Sequence, residues 1–496
     1  MHTFKPTAVA LTVLTFCLGS LLFYSPSLTP LKQVLPLEQH SSQPQTSSTN
    51  LPSVQFAAAN EWAVETEILQ YFEDYPLSPP NKDNFGELGR RTRLLRDFIV
   101  SADREKTIPR KQALLDIVDR IAVSLYPFLD NPPQNPHSTS PFTDLRDSIV
   151  PKSVGIVIPT GHHNLRFASQ LIRCLRNVLK STLPIQIVYA GDDDLSPTNR
   201  TFLKNLPSIS HNAAKLEFLD ILSVFDDTTL KLKDGGWAIK PFAALGSQYE
   251  KLIVMDADAV FLQKPEVLLH HPAFKRTGAY LFRDRLLWQH VFQDRHEWWK
   301  SQIKRPSATL NKSLVWTEDY AEEGDSGVVI IDKSRTDVLA GLLHICWQNS
   351  YEVREEATYK ITYGDKESWW MGFELAGSAY AMEEHYGAIV GWEDTLVTDP
   401  AARKVCSFVI AHLDDNNRLL WYNGGLLKNK QVPSMSHDYA VPDKWMIDAE
   451  WQKGASKPDM SCMVGGEVHD VPEDQIGILE SSIAEARCVD EALNIA

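Results

Sequence analysis

From about residue 153 the chain alternates short apolar runs with amphipathic stretches, and no other feature constrains its fold as strongly. SVGIVIP (153–159) reads as a strand buried on both faces, and Leu165, Ala168, Leu171, Ile172 and Leu175 give the next stretch one apolar helical face. IQIVYA (185–190) is a second strand, 216–219 a third, and KLIVM (251–255) a fourth with a helix over about 236–249 before it. This alternation predicts an α/β fold built on a doubly wound, mostly parallel sheet, whose ligands bind beyond the carboxyl ends of the strands. Polar residues just after each strand are therefore the functional candidates.

Two acidic clusters stand at such places: Asp192, Asp193 and Asp194 after the second strand, and Asp256 and Asp258 after the fourth. In extended chain, residues two apart point the same way, so both carboxylates of Asp256-Ala257-Asp258 can face one cation. Their hard oxygens suit Mg²⁺ or Mn²⁺, and such an ion neutralises a departing diphosphate. Spacing does not choose between the clusters, and an isolated Asp-x-Asp is more often a solvated turn.

Residues 7–24 (TAVALTVLTFCLGSLLFY) form an uncharged apolar run after Lys5, and no acidic residue precedes Glu38. The run is long for a signal peptide and lacks a small-x-small cleavage site, so it reads as a retained anchor with residues 1–6 cytosolic. It is short for a span, which suits early secretory membranes and points to a type II Golgi protein with a lumenal catalytic domain. Residues 25–60 are rich in Ser, Pro, Gln and Thr and read as a disordered stem. In 61–130, Leu114, Ile117, Val118, Ile121 and Leu125 recur on one helical face, and the proline-rich 131–149 reads as a linker to a catalytic domain over 150–450. Residues 451–496 are left as a C-terminal tail.

A net charge of −15 provides no basic field for a nucleic-acid backbone. Lumenal placement permits glycosylation at Asn199-Arg200-Thr201 and Asn311-Lys312-Ser313. Beyond Cys17 in the apolar run, Cys174, Cys346, Cys406, Cys462 and Cys488 would face an oxidising compartment, with Cys462 and Cys488 the favoured pair because both lie in the polar C-terminal stretch.

The stretch 235–269, GGWAIKPFAALGSQYEKLIVMDADAVFLQKPEVLL, resembles nucleotide-sugar glycosyltransferases of GT-A type, in which a helix carrying Lys-Pro precedes a strand ending in a metal-binding Asp-x-Asp. GIVIPTG (155–161), PIQIVYAGDDDL (184–195), HPAFKRTGAYLFRDR (271–285), DSGVVIIDK (325–333), GDKESWWMGFEL (364–375) and AHLDDNNRLLWYNGG (411–425) narrow the resemblance to the fungal Golgi α-1,3-mannosyltransferases that extend mannan, N- and O-glycans. The resemblance implies a GT-A-like sheet and transfer of mannose, with retention, from GDP-mannose to a mannose-containing glycan on a glycoprotein. It assigns the metal, Mn²⁺ or else Mg²⁺, to Asp256, Asp258 and His412, and donor contacts to Lys240, Asp325, Asp192 and Asp193. Asp365 and Glu367 fall where related enzymes keep catalytic carboxylates, either as nucleophile of a double displacement or beside a same-face displacement. Asp284 is a weaker candidate for the donor pocket, more simply read as paired with an arginine, and Trp369 and Trp370 read as core. An α-1,2-transferase of the same superfamily is the alternative. A silent partner subunit or a metal-dependent hydrolase fits the residues less well.

Overall fold

The computed structural model describes residues 63–206, 216–395, 399 and 402–495. The expected anchor (7–24), the stem and the residues before Ala63 lie outside the described residues. Among those described, no helix is long and apolar enough to cross a membrane.

Three helices open the described chain: α1 (Ala63–Asp74), α2 (Phe85–Arg104) and α3 (Ile108–Leu125). The apolar stripe Leu114, Ile117, Val118, Ile121 and Leu125 is buried, as its spacing requires. These helices are not a separate body. They share one core with the sheet, because α2 lies against two later helices and Arg93 donates from Nε to the carbonyl of Leu375 at 3.1 Å.

The central sheet joins β1 (Val150–Pro159), β2 (Ile185–Tyr189), β3 (Leu216–Asp220), β4 (Tyr249–Met255), β6 (Ala279–Arg283), β7 (Gly324–Asp332) and β8 (Ala381–Met382) in the order β3-β2-β1-β4-β7-β6-β8. The half from β3 to β4 is parallel, and β7 runs antiparallel to both its neighbours. The sheet is therefore mixed. Side chains alternate between its faces: Ile156, Ile158, Ile253, Met255, Val328 and Ile330 enter one core, and Val157, Leu252, Val254, Val329 and Ile331 the other. Both faces are covered, which is why these strands read as unbroken apolar runs.

Helix α4 (Leu165–Arg173) lies on one face; α5 (Ile239–Gly246), α6 (Thr336–Gln348) and α7 (Lys366–Ala376) lie on the other. Chain order reverses at β1, flanked by β2 on one side and β4 on the other. A crevice forms beyond the carboxyl ends of strands at such a reversal, and Asp256 is the first residue after β4.

Residues past β8, with one earlier short strand, build a second layer. Short strands β5 (Ala259–Phe261), β11 (Ile410–Leu413) and β12 (Leu419–Asn423) form one antiparallel sheet. Strands β9 (Ile389–Glu393), β10 (Lys404–Ser407), β13 (Lys444–Met446), β14 (Glu450–Gln452), β15 (Ser461–Val464) and β16 (His469–Asp470) form another. The last helix, α8 (Glu473–Ala492), packs on α4, where Arg166 forks onto Asp490 at 2.6–2.7 Å. The expected tail at 451–496 is not one, since residues 451–492 carry strands and a helix that close the fold. The disulfide joins Cys406 to Cys462, not Cys462 to Cys488. Cys406 and Cys462 stand directly opposite in the antiparallel β10–β15 ladder, which brings their side chains together, whereas Cys488 sits on an exposed part of α8.

Candidate active site

Lys240 enters helix α5 among Ile239, Pro241, Phe242, Ala243 and Ala244, where an apolar helix face leaves a long cationic side chain no route to water. Its ammonium is satisfied inside the protein. Nζ contacts Asp256 Oδ1 at 2.8 Å, the Ser326 carbonyl at 2.9 Å, Ser326 Oγ at 3.1 Å and Asp365 Oδ2 at 3.4 Å. Burial works against the charge, but Asp256 and Asp365 outweigh it and hold Lys240 above the ordinary lysine range. Asp365 immediately precedes α7 and is fixed by Ser326 Oγ at 3.1 Å and Trp369 Nε1 at 2.8 Å. The backbone N–H of Asp256 donates to Gly327 at 2.8 Å, which ties the end of β4 to β7. Residues from α5, β4, β7 and the start of α7 therefore converge on one ammonium.

Asp256-Ala257-Asp258 is a turn, closed by Ala259 N–H on the Asp256 carbonyl at 3.1 Å, and not the extended segment expected. Strand β4 must stop there so that β5 can leave the sheet and pair with β12. Asp258 contacts Lys430, and its carbonyl accepts from Gly425 N–H at 2.7 Å. Gly425 has φ +82, a conformation an L side chain resists. Burial pushes the Lys430 ammonium down while Asp256 works to keep it charged, so Lys430 feels both acids of the turn.

These two pairings bear on the metal implied by the family resemblance. Asp256 and Asp258 are the hard oxygen donors such an ion needs, their side chains are 29% and 17% exposed, and each is already paired with an ammonium, Asp256 with Lys240 and Asp258 with Lys430. Among the described residues no three Asp, Glu, His or Cys side chains are grouped as a cage. Two carboxylates completed by phosphate oxygens are a usual setting for Mg²⁺ and similar ions. The turn fits the group.

His412 does not join it. The ring is fully buried, stacked on Trp421 at 4.3 Å, with Nδ1 2.7 Å from Glu383 and Nε2 3.4 Å from Asp325. Burial disfavours its charge, but Glu383 and Asp325 hold the imidazole up at about 9. With both ring nitrogens turned to carboxylates, no lone pair remains for a cation. Because the folded pKa lies above the ordinary 6.5, the stability His412 supplies is full below about pH 6.5 and is lost as pH rises through about 9. Chemical denaturation across this window should show the difference between wild type and His412→Gln shrinking toward high pH. A difference that stayed constant or grew would refute the paired imidazolium.

Asp325 is buried. His412 and Lys366 oppose the effect of burial and keep its carboxyl below the usual range, and its Oδ1 accepts from Asn423 at 3.1 Å and Gly327 N–H at 2.8 Å. Glu367 faces elsewhere. Oε1 accepts from the backbone of Glu323 and Gly324, both at 3.0 Å, and Oε2 from Trp370 at 2.6 Å. Burial and then Glu322 push Glu367 up to about 8, so this carboxyl staples α7 to β7 and leaves the Lys240 cluster to Asp365. Asp284 pairs chiefly with Lys366, and Arg285 stands farther away at 3.7 Å. Asp192 and Asp193 project into solvent beside Arg200 and Lys233, while Asp194 turns inward onto Ala190 N–H at 2.8 Å. Trp369 and Trp370 are buried, as read.

Lys430, Lys366, Ser326, Asn423 and Glu383 escaped the sequence reading. Lys366 had a signal, lying between two carboxylates already suspected. Lys430 and Glu383 had none, since each meets its partner only through the second layer of strands.

Comparison with known proteins bears on the family of this chain. The chain is 26% identical over 60% of its length to the Saccharomyces cerevisiae "Alpha-1,3-mannosyltransferase MNN1" (43% of that protein). It is 27% identical over 52% of its length to "Alpha-1,3-mannosyltransferase MNT3" of the same yeast (44% of that protein). The chain thus spans about half the length of the curated relatives it matches. A solved galactosyltransferase, LgtC in complex with donor and acceptor sugar analogs, is 12% identical over 46% of this chain and 73% of its own, with a TM-score of 0.29, too loose a superposition to bear on the site. The family model "Mannosyltransferase putative" matches residues 153–414, which run from β1 through the Lys240 cluster to the His412 ion pair, and the chain belongs to this mannosyltransferase family.

Proposed function

We propose that this chain transfers mannose from GDP-mannose to a mannose-terminated glycan, in α-1,3 linkage and with retention of configuration. The observation that carries the reading is Lys240, held charged between Asp256 and Asp365 at the carboxyl end of β4. A buried cation placed where ligands enter a doubly wound sheet is suited to an anionic group such as a diphosphate. Mn²⁺ or Mg²⁺ on Asp256 and Asp258 would add positive charge against the departing diphosphate. Lys240 and Lys430 flank the same turn and neutralise the leaving group from the protein side.

Asp365 keeps Lys240 in place and presents a fixed carboxylate beside it. With Glu367 committed to backbone amides, the nucleophile of a double displacement would be Asp365. In a same-face displacement Asp365 would instead supply electrostatic support. The reading also makes the chain a type II Golgi protein anchored through 7–24, and the Cys406–Cys462 disulfide supports an oxidising compartment.

Purified protein given GDP-mannose, Mn²⁺ and a mannose-terminated oligosaccharide should yield an α-1,3-extended product, lose activity in EDTA and regain it with Mn²⁺. An α-1,2 product would shift the specificity to the alternative reading, and use of another sugar nucleotide alone would overturn both. Release of free mannose with no acceptor product would indicate a hydrolase.

A further inference from the structure

Four tryptophans around the sheet, Trp299, Trp369, Trp370 and Trp421, are fully buried, but Trp237 is 47% exposed and stands beside Tyr363, 62% exposed. The two ring centroids lie 5.1 Å apart with planes inclined at 54°, and Tyr359 meets Trp237 edge-on at 6.2 Å. One face of the indole is occupied by backbone. A Cβ built on Gly364 would fall 2.8–3.0 Å from Cδ2, Cε3 and Cγ of Trp237, near-equal distances that place the Gly364 α-carbon over the ring and not at its rim. Gly364 also has φ +67, so both space and conformation exclude a side chain. The indole is thus backed by Gly364 while about half of the residue stays exposed to solvent.

Its location ties this shelf to the Lys240 cluster. Trp237 precedes Lys240 by three residues across a helical turn, and Tyr363 precedes Asp365 by two. The tilted ring contact between them therefore joins the two segments that bring Lys240 and Asp365 together. Exposed aromatic rings braced beside a polar site are the usual lining of a ligand pocket.

We propose that Trp237 and Tyr363 form the platform for the acceptor's terminal mannose ring, an inference that rests on the mannosyl-transfer reading. A hexose presents one face of C–H groups, which packs on the electron-rich face of an indole while its hydroxyls stay free for hydrogen bonds. Trp237 lies one helical turn before Lys240 in the chain, which favours a sugar ring near the transferred group as the occupant. The donor's nucleobase is separated from that carbon by the ribose and the diphosphate.

The test uses the full-length protein with α-mannobiose as acceptor. Trp237→Ala should raise the acceptor KM about tenfold, equivalent to about 1.4 kcal/mol, while calorimetric affinity for GDP-mannose stays unchanged. Tyr363→Ala should act in the same direction by less, and Trp237→Phe should restore most of the affinity. Loss of GDP-mannose affinity with the acceptor KM unmoved would overturn the proposal, because the platform would then hold the nucleobase. An acceptor KM unmoved in both alanine variants would overturn it as well. If Trp237→Ala fails to fold, Tyr363→Ala carries the test, since its ring is mostly in solvent. If wild type does not use GDP-mannose, the parent reading fails by itself. Calorimetric binding of mannobiose to wild type and Tyr363→Ala then decides the platform separately.

Discussion

Asp256→Ala and Asp258→Ala should each lower transfer from GDP-mannose by about 10²–10³-fold or more, the usual loss when a preorganised electrostatic group is removed from a reaction centre. Both side chains lie in a turn and are partly exposed, so neither substitution opens a core cavity, and cooperative unfolding should persist. The variants should also lose Mn²⁺-dependent binding of GDP-mannose, measured by calorimetry with and without EDTA. Asp193→Ala is the comparison. Its carboxylate stands 79% exposed at the end of β2 and reaches only Lys233. If Asp193→Ala abolished metal-dependent binding while Asp256→Ala and Asp258→Ala left it intact, the diphosphate site would belong to the other acidic cluster.

Lys240→Met should have the largest effect on stability and activity together. Removing the ammonium leaves Asp256 and the buried Asp365 without their shared cation, and stripping one partner from a buried ion pair costs about 3–5 kcal/mol. Denaturant titration should show the loss as a lower midpoint, and transfer should fall in parallel. Lys240→Arg should not rescue either property. A planar guanidinium cannot place one point charge among Asp256 Oδ1, Asp365 Oδ2 and the Ser326 carbonyl within the space an ammonium fills. A Lys240→Met protein as stable as wild type would show that the cluster is not the buried electrostatic centre described, and full activity in it would remove Lys240 from the reaction.

Local chemistry alone determined the framework. Ile156, Val157 and Ile158 enter opposite cores, and a strand buried on both faces has to be apolar at every position, so the run at 153–159 could be read without knowing its neighbours. The stripe from Leu114 to Leu125 was legible for the same kind of reason, because a helix hides one face per 3.6 residues. The position of Asp256 after β4 followed from the strand pattern, whereas the motif around Lys240 implied a donor contact and not its burial between Asp256 and Asp365.

Only the tertiary structure decided what each acid does. Asp365 and Glu367 sit two residues apart at the start of a helix, where successive side chains turn by about 100°. They therefore leave the axis on nearly opposite sides, Asp365 toward Ser326 and Lys240, Glu367 toward the amides of Glu323 and Gly324. The family resemblance assigned His412 to the metal. Glu383 and Asp325, both remote in sequence, turned it into a buried imidazolium. Cys462 lies nearer in sequence to Cys488 than to Cys406, but strand pairing across β10 and β15 brings it to Cys406. A chain's order sets which faces and periods are possible; which distant residue completes a charge or a covalent bond depends on how the strands of the second layer fold back, and no local pattern encodes that.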